Sequence, residues 1–187
     1  IGTIADLIEY RLRHEESVEA ISAQKVQTDF GEFRMICFED HVNRAVHVAL
    51  IRGTLSRDEP VFVRVHRQDS IGDVLNIQQP DRSWPLREAM QYMAEHDNGV
   101  IVLLRHEESA REFMSAVRGL NVEQPPRIGA ENPMDIRMTG TGSQILRALG
   151  VSRMRVLSAP YTMHGLSGFG LEIVEYISGE RTDDGDE

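Results

Sequence analysis

Residues 135–151 read DIRMTGTGSQILRALGV, and no other stretch of the chain is as informative about its fold. Two glycines, Gly140 and Gly142, stand among hydroxyl side chains just before a helical pattern that we predict over residues 143–149. Free backbone amides at a helix start, together with the positive end of the helix dipole, can hold an anion. The same letters are typical of a plain loop that needs glycine and ends in a serine cap. The local pattern leaves both interpretations open.

Asp135 and Arg137 form the second feature of this stretch. On an extended strand, residues two apart point to the same side, so this spacing predicts a carboxylate and a fixed cation side by side. A salt-bridged surface pair would have the same spacing.

The segment RVHRQDSIGD, residues 64–73, is a further polar cluster. Arg64 and His66 are expected to point the same way on a strand, toward a polar turn that could meet a phosphate. As a metal site the segment fails, because His66 and Asp69 lack a third ligand at helical or hairpin spacing. The alternative is a strand-end histidine with a satisfied hydrogen bond.

The rest of the chain predicts strands and helices that intermix without strict alternation. We predict strands over 33–38, 46–51, 61–66, 100–104, 154–157 and 171–177. Helical spacing runs through residues 1–22, a helix with Ser83 as cap ends at Asn98-Gly99, and another spans 110–119. This order predicts an α/β or α+β fold, with a mixed sheet flanked by helices.

Composition sets the broad class of protein. The 187 residues and 41% hydrophobic content fit one globular domain, and the net charge of −10 argues against binding nucleic acid. No apolar run is long enough for a membrane helix, and cytoplasm is the default location. The lone Cys37, expected to be buried in a strand, excludes a disulfide framework and a multi-cysteine zinc site.

Taken together, these motifs resemble GTP cyclohydrolase II. The matching pieces occur in the family's order and are Arg64-Val65-His66 with Gly72-Asp73, Arg105-His106-Glu107, Asp135-Ile136-Arg137 through Gly140, Gly142 and the QILRALGV block, and Gly165-Leu166 with Gly168 and Gly170. The resemblance implies a family fold over residues 25–178. It also implies catalytic positions at Asp135 and Arg137, and nucleotide or phosphate contacts from Arg64, His66, Arg105, Glu107, Gly140 and Gly142.

The start of the chain carries a second resemblance. IGTIADLIEYRLRHE is similar to the end of 3,4-dihydroxy-2-butanone 4-phosphate synthase and its connection to the cyclohydrolase domain. We therefore expect residues 1–24 to be the end of a synthase domain and its linker, and the chain to be part of a bifunctional-type riboflavin biosynthesis protein. Residues 179–187 are expected to be a solvated acidic tail.

Several family positions are altered here. In the family three cysteine thiolates bind a zinc ion whose water attacks the purine ring. The corresponding residues are Asp69, Pro80 and Arg82, and the phosphate turn reads Glu107-Glu108-Ser109-Ala110. The segment with the family's lysine reads Ser158-Ala159-Pro160-Tyr161-Thr162, without that lysine.

These changes predict a domain without zinc and without the ring-opening reaction. Its expected role is structural or regulatory beside the synthase domain of the same chain, as a homodimer by resemblance. The alternatives are a domain that still binds GTP or phosphate, with magnesium only if a nucleotide binds, and an active cyclohydrolase or altered nucleotide hydrolase that uses Asp135 and Arg137.

Overall fold

The computed structural model describes residue 10 and residues 16–56, 58–77, 84–120, 133–159 and 166–179, with residues 133–137 and 166–167 described by backbone alone. Within these ranges the strands are β1 (Val18–Thr28), β2 (Gly31–Asp40), β3 (Ala45–Gly53), β4 (Val61–Arg67), β5 (Asn98–Leu104), β6 (Arg153–Leu157) and β7 (Glu172–Ile177). The helices are α1 (Leu86–His96), α2 (Ala110–Gly119) and α3 (Pro133–Ala148), with a π-helical turn at Ser70–Val74 and a 3-10 turn at Leu166–Phe169.

The strands form one mixed sheet in the order β1-β2-β3-β5-β4-β6-β7. The pairs β1–β2, β2–β3 and β3–β5 are antiparallel, whereas β5–β4, β4–β6 and β6–β7 are parallel. The predicted mixed α/β sheet is therefore confirmed.

The strand register brings several strand ends together at one edge of the sheet. Val18 pairs with Asp40, Asp40 pairs with Ala45, and the carboxyl ends of β4 and β5 pair through Arg67 and Leu104. We call the edge formed by these five residues the carboxyl edge. The loops that leave β4 and β5 begin here, so the polar motifs at 66–73 and 105–109 meet in space.

Each face of the sheet is covered by a helix. On one face α3 contributes Ile145 and Leu146 to the larger core, which includes Val63 and Val102. On the other face α1 contributes Ala89 and Met93 to a smaller core. β5 is buried on both faces, as expected for a strand with helices on either side.

The termini of the helices follow local sequence signals. α2 begins with a capping box, in which Ser109 Oγ accepts from the Glu112 amide and the Glu112 carboxylate accepts from the Ser109 amide. α1 ends at His96 and is followed by Asp97, a capping residue with a left-handed backbone and φ of 47°. The helix was predicted to end at Asn98-Gly99. In the structure, Asn98 and Gly99 are instead the first two residues of β5.

Two predicted features differ from the structure. β1 begins at Val18, where helical spacing was expected to continue to Ser22, because pairing with β2 outweighs the local pattern. α3 begins at Pro133, ten residues before the predicted start, so Gly140 and Gly142 lie inside a helix. The predicted Gly140–Ser143 loop with free amides is wrong, because amides in a helix interior bond to carbonyls one turn earlier.

Several predictions fall on residues that the structure does not describe. Residues 1–9, 11–15 and 180–187 lie outside the described ranges, as does the Ser83 cap. Cys37 lies in β2 as expected but is half-buried rather than buried. Among the described residues, no helix is long and apolar enough to cross a membrane.

Candidate functional site

His66 is the last buried residue of β4 and turns toward the loop that follows it. Its side chain is 3% exposed, and Nε2 lies 2.9 Å and 3.0 Å from the two carboxylate oxygens of Asp73. Because a carboxylate only accepts, Nε2 carries the proton. Nδ1 is buried and has no hydrogen-bond partner. His66 therefore has the protein hydrogen bond expected of a structural strand-end histidine.

Asp69 organises the turn between His66 and Asp73. Its Oδ1 accepts from the amides of Ile71 and Gly72, both at 2.9 Å, and so caps the π-helical turn. The Asp69 amide in turn donates to Asp73 Oδ2 at 2.9 Å. The Asp69 carboxylate thus satisfies backbone donors of its own loop.

Glu108 connects the loop after β5 to the same turn. Its Oε2 accepts a hydrogen bond from Ser70 Oγ, at the first position of the π-helical turn. Glu107 is exposed beside it. Together with Asp69 and Asp73, these residues place four carboxylates around the ends of β4 and β5.

Three arginines near this edge contact acceptors of the protein itself. Arg64 Nη1 donates to Leu157 O at 2.9 Å, and Arg105 Nη1 donates to Val46 O at 3.2 Å. Arg67 Nη2 lies 3.0 Å from His106 Nε2. Since a guanidinium only donates, His106 is neutral in this contact. Burial and the nearby Arg67 charge both lower the pKa of His106, which favours the same neutral form.

A buried polar cluster lies below the loops, between the sheet and α3. Asp40 Oδ2 accepts from Thr141 Oγ1 at 3.2 Å and lies 3.8 Å from His47 Nε2. His47 Nδ1 accepts from the amide of Arg105 at 3.1 Å. This cluster holds the residue after β5 in place.

The charge of Asp40 is stabilised inside this cluster. Burial raises the pKa of Asp40, but the interactions with His47, Asn43 and Val42 outweigh it and bring the pKa below its ordinary value of 3.8. Both amides of the turn, from Val42 and Asn43, donate to Asp40 Oδ1. Asp40 is therefore ionised and fully hydrogen-bonded while buried.

Gly142 has a packing role in α3. A Cβ atom at this position would lie 3.1 Å from Val65 Cγ1 and 3.7 Å from Leu104 Cδ1. The helix therefore comes closer to β4 and β5 than a larger residue allows. Ser143, the predicted cap, instead donates from Oγ to Thr139 O at 2.8 Å inside the helix.

The Asp135–Arg137 pair has helical backbone, so the extended geometry predicted for it is wrong. Residues two apart on a helix do not share a face. The side chains of both residues lie outside the described part of the chain. The structure thus brings His66, Arg105 and Glu107 to one edge, whereas Gly140 and Gly142 belong to the helix packed behind it.

Sequence reasoning missed the Asp40, His47 and Thr141 cluster. Asp40 ends a strand two residues before a turn amide, which is the sequence pattern of an aspartate-capped turn. His47 is a single polar residue in an apolar strand, and that pattern alone does not name its partner.

The comparison with family models matches residues 19–178 to the model described as GTP cyclohydrolase II. The chain belongs to the GTP cyclohydrolase II family. The match covers all seven strands except the first residue of β1, so the resemblance seen in the motifs is confirmed at the level of family and fold.

Two relatives of this GTP cyclohydrolase II family member cover almost the whole chain. A Pseudomonas aeruginosa protein named 3,4-dihydroxy-2-butanone 4-phosphate synthase is 44% identical over 96% of this chain and 48% of its own length. A Parabacteroides distasonis protein named riboflavin biosynthesis protein RibBA is 35% identical over 93% of this chain and 45% of its own length.

A solved structure shares the fold. RibBX of A. baumannii, described as a two-domain 3,4-dihydroxy-2-butanone 4-phosphate synthase, superposes with a TM-score of 0.69 at 30% identity. The superposition covers 95% of this chain and 45% of that protein. The chain therefore spans about half the length of the relatives it matches.

The zinc ion that the GTP cyclohydrolase II resemblance implies does not fit the residues of this chain. The resemblance places Asp69 at the first cysteine position, and Asp69 Oδ1 accepts hydrogen bonds from two backbone amides. Positions 80 and 82, outside the described residues, are proline and arginine, which offer no zinc ligand. In the ranges that the structure describes, no three His, Cys, Asp or Glu side chains are grouped to hold a metal.

Proposed function

We propose that this chain is a GTP cyclohydrolase II-like domain that does not open the GTP ring. In this proposal it has a structural or regulatory role beside a 3,4-dihydroxy-2-butanone 4-phosphate synthase domain of the same protein. The observation that carries the proposal is Asp69, which stands at a zinc-ligand position and caps the π-helical turn instead. Attack by water near neutral pH needs a metal that lowers the pKa of that water from 15.7 to about 7.

The electrostatics of the carboxyl edge support the proposal. Asp69, Asp73, Glu107 and Glu108 surround the loops, and the Glu108 carboxylate binds Ser70. A triphosphate carries several negative charges and would meet this acidic group. Arg64 and Arg105 would have to give up hydrogen bonds to Leu157 and Val46 to bind it.

The names of the relatives support the proposed role beside a synthase domain. The P. aeruginosa relative carries the synthase name alone, and the A. baumannii structure is described as a two-domain synthase. The more distant P. distasonis relative is named RibBA. We place the synthase domain before this one, and we expect a homodimer in the cytoplasm.

An assay for the products of GTP ring opening tests the proposal. The 187-residue chain is incubated with GTP, magnesium and added zinc, and released formate and pyrophosphate are measured against buffer. We expect neither product, whereas a family member that keeps its three cysteines releases both under the same conditions. Loss of a single stabilising group typically costs ~10²–10³ in rate, and here several are replaced together.

Two sets of variants sharpen the assay. Combining Asp69→Cys, Pro80→Cys and Arg82→Cys should recover bound zinc without full activity, because Glu108, Ser109 and Thr162 remain. Formate release by the unmodified chain, abolished by Asp135→Ala or Arg137→Ala, would establish the alternative of an active cyclohydrolase and refute the proposal.

A further inference from the structure

An apolar patch is exposed on α2 and the end of the π-helical turn. It consists of Val74, Leu75, Ile77, Met114 and Val117, whose exposed fractions are 72%, 56%, 40%, 46% and 38%. We call these five residues the apolar patch. α2 packs against the π-helical turn, and the hydrogen bond from Ser70 to Glu108 ties their loops together. The five exposed residues therefore lie on two elements that pack against each other.

The sequence of α2 indicates that its apolar side should be covered. Ala110, Phe113, Met114 and Val117 recur at the spacing of one helix face, which normally faces a protein core. No residue of α2 is buried in the structure. Contiguous exposed apolar residues on a folded domain mark an interaction surface.

The position of Ser17 indicates what covers the patch. Ser17 directly precedes β1, and its amide and Oγ both bond to Gln144 Oε1 on α3, at 2.9 Å and 3.0 Å. The register places Val18 at the same carboxyl edge as the end of β4, from which the π-helical turn leaves. Any polypeptide that precedes Ser17 therefore enters at the edge where the patch lies.

A single domain is large enough to span the distance between Ser17 and the apolar patch. β1 and β4 are four strand spacings apart, which is about 19 Å along the sheet. This chain matches about half of each relative and leaves the other half uncovered. A domain as large as that other half is about 40 Å across. Such a domain can follow the chain entry at Ser17 and still contact α2.

We propose that the apolar patch is the surface on which the synthase domain of the same chain docks. This rests on the proposed function, which places that domain before residue 17. Arg111 and Arg118 are exposed on α2 and border the apolar stripe on one side. The docking surface of the synthase domain accordingly has an apolar centre with carboxylates beside it, opposite these two arginines.

Site-specific photocrosslinking in the longer, two-domain protein tests the docking directly. A photoreactive benzoylphenylalanine replaces Met114, and a matched control replaces Glu95, which is exposed on α1. After illumination, mass spectrometry identifies the peptide joined to each position. We expect synthase-domain peptides from position 114 and none from position 95. Joined peptides from residues 78–83 or 121–132, from a second copy of this domain, or no joined peptide at all would overturn the proposal.

A pair of charge substitutions gives an independent readout. Met114→Glu combined with Val117→Glu should speed limited proteolysis between the domains at least fivefold in the longer protein and leave the folding of the 187-residue chain unchanged. Gln91→Lys, at an exposed position of α1 where Glu95 can still accept a hydrogen bond, should change neither. Failure of the 187-residue double variant to fold would show that its own chain covers the patch, and would overturn the proposal.

The same preparation separates this inference from the proposed function. Formation of 3,4-dihydroxy-2-butanone 4-phosphate by the longer protein reports on its synthase domain. Absence of that product refutes the proposed function. Product formation without crosslinks from position 114 refutes the docking surface alone.

Discussion

The imidazole of His66 donates from Nε2 to the carboxylate of Asp73, which lies 2.9 Å away and seven positions further along the chain. Asp73 also accepts from the amide of Asp69, whose own carboxylate caps the turn between them. The loop after β4 is thus closed by hydrogen bonds within the chain. The carboxylates of Asp69 and Asp73 therefore order this loop.

Removing the Asp73 carboxylate should destabilise the domain. Asp73→Ala leaves His66 buried with no acceptor for Nε2 and leaves the Asp69 amide without its partner, which costs about 1–3 kcal/mol. Urea unfolding measures the free energy. The control Asp58→Ala, at an exposed position, should stay within about 0.5 kcal/mol of the original protein. Equal effects of the two substitutions would contradict a stabilising His66–Asp73 pair.

A larger residue at Gly142 should push α3 away from the sheet. We expect Gly142→Val to cost about 1–3 kcal/mol, because its Cβ would meet Val65 Cγ1 at 3.1 Å. Val65→Ala makes room, so Gly142→Val should cost less in that background, by ~1 kcal/mol in a double-mutant cycle. Purely additive free energies would indicate that Gly142 is kept for another reason.

Stability should depend on pH through Asp40. Its pKa in the folded state lies below the ordinary value of 3.8, so the stability it contributes is complete above about pH 5. This contribution is lost as the pH falls below 3.8 toward the folded pKa. The free energy of unfolding of the original protein should therefore exceed that of Asp40→Asn at pH 6, and the difference should shrink by pH 2.5. A difference that stays constant over this range would mean that Asp40 has the same pKa in the folded and unfolded states.

The purified chain should contain no stoichiometric zinc. The reason is chemical, because positions 69, 80 and 82 carry aspartate, proline and arginine, and Asp69 Oδ1 is used by two amides. Elemental analysis after dialysis measures the zinc content directly. About one zinc per chain that resists dialysis would show that other residues form a site.

Much of the fold could be predicted because local pattern and tertiary environment agree. The apolar β-branched runs that became β3, β4 and β5 are flanked by turn residues, and they bury their side chains as expected. Gly119, which closes α2, is a local signal and marks its end correctly. Its apolar stripe, however, is not buried against the described core.

The candidate site was less predictable because its partners are distant in sequence. His66 and Asp73 are close enough for the motif to name both, although not their bond. Asp40 and Thr141 are 101 residues apart, and nothing local in either segment indicates the other. The glycines in α3 were assigned to a loop because glycine disfavours a helix interior by about 1 kcal/mol, and the sequence does not show that packing on β4 requires one there.

The sequence by itself indicated the family and the mixed sheet, and it carries no cysteine at positions 69, 80 and 82, since these features depend on residue identity and short-range spacing. Only the tertiary structure decided that Asp69 caps a turn, that Glu108 binds Ser70, and that Gly142 serves close packing. The physical reason is that these hydrogen bonds and packing contacts join residues from different elements, and they form only where the fold brings the ends of those elements together. That arrangement is set by the sheet order β1-β2-β3-β5-β4-β6-β7, in which sequence neighbours are not always spatial neighbours.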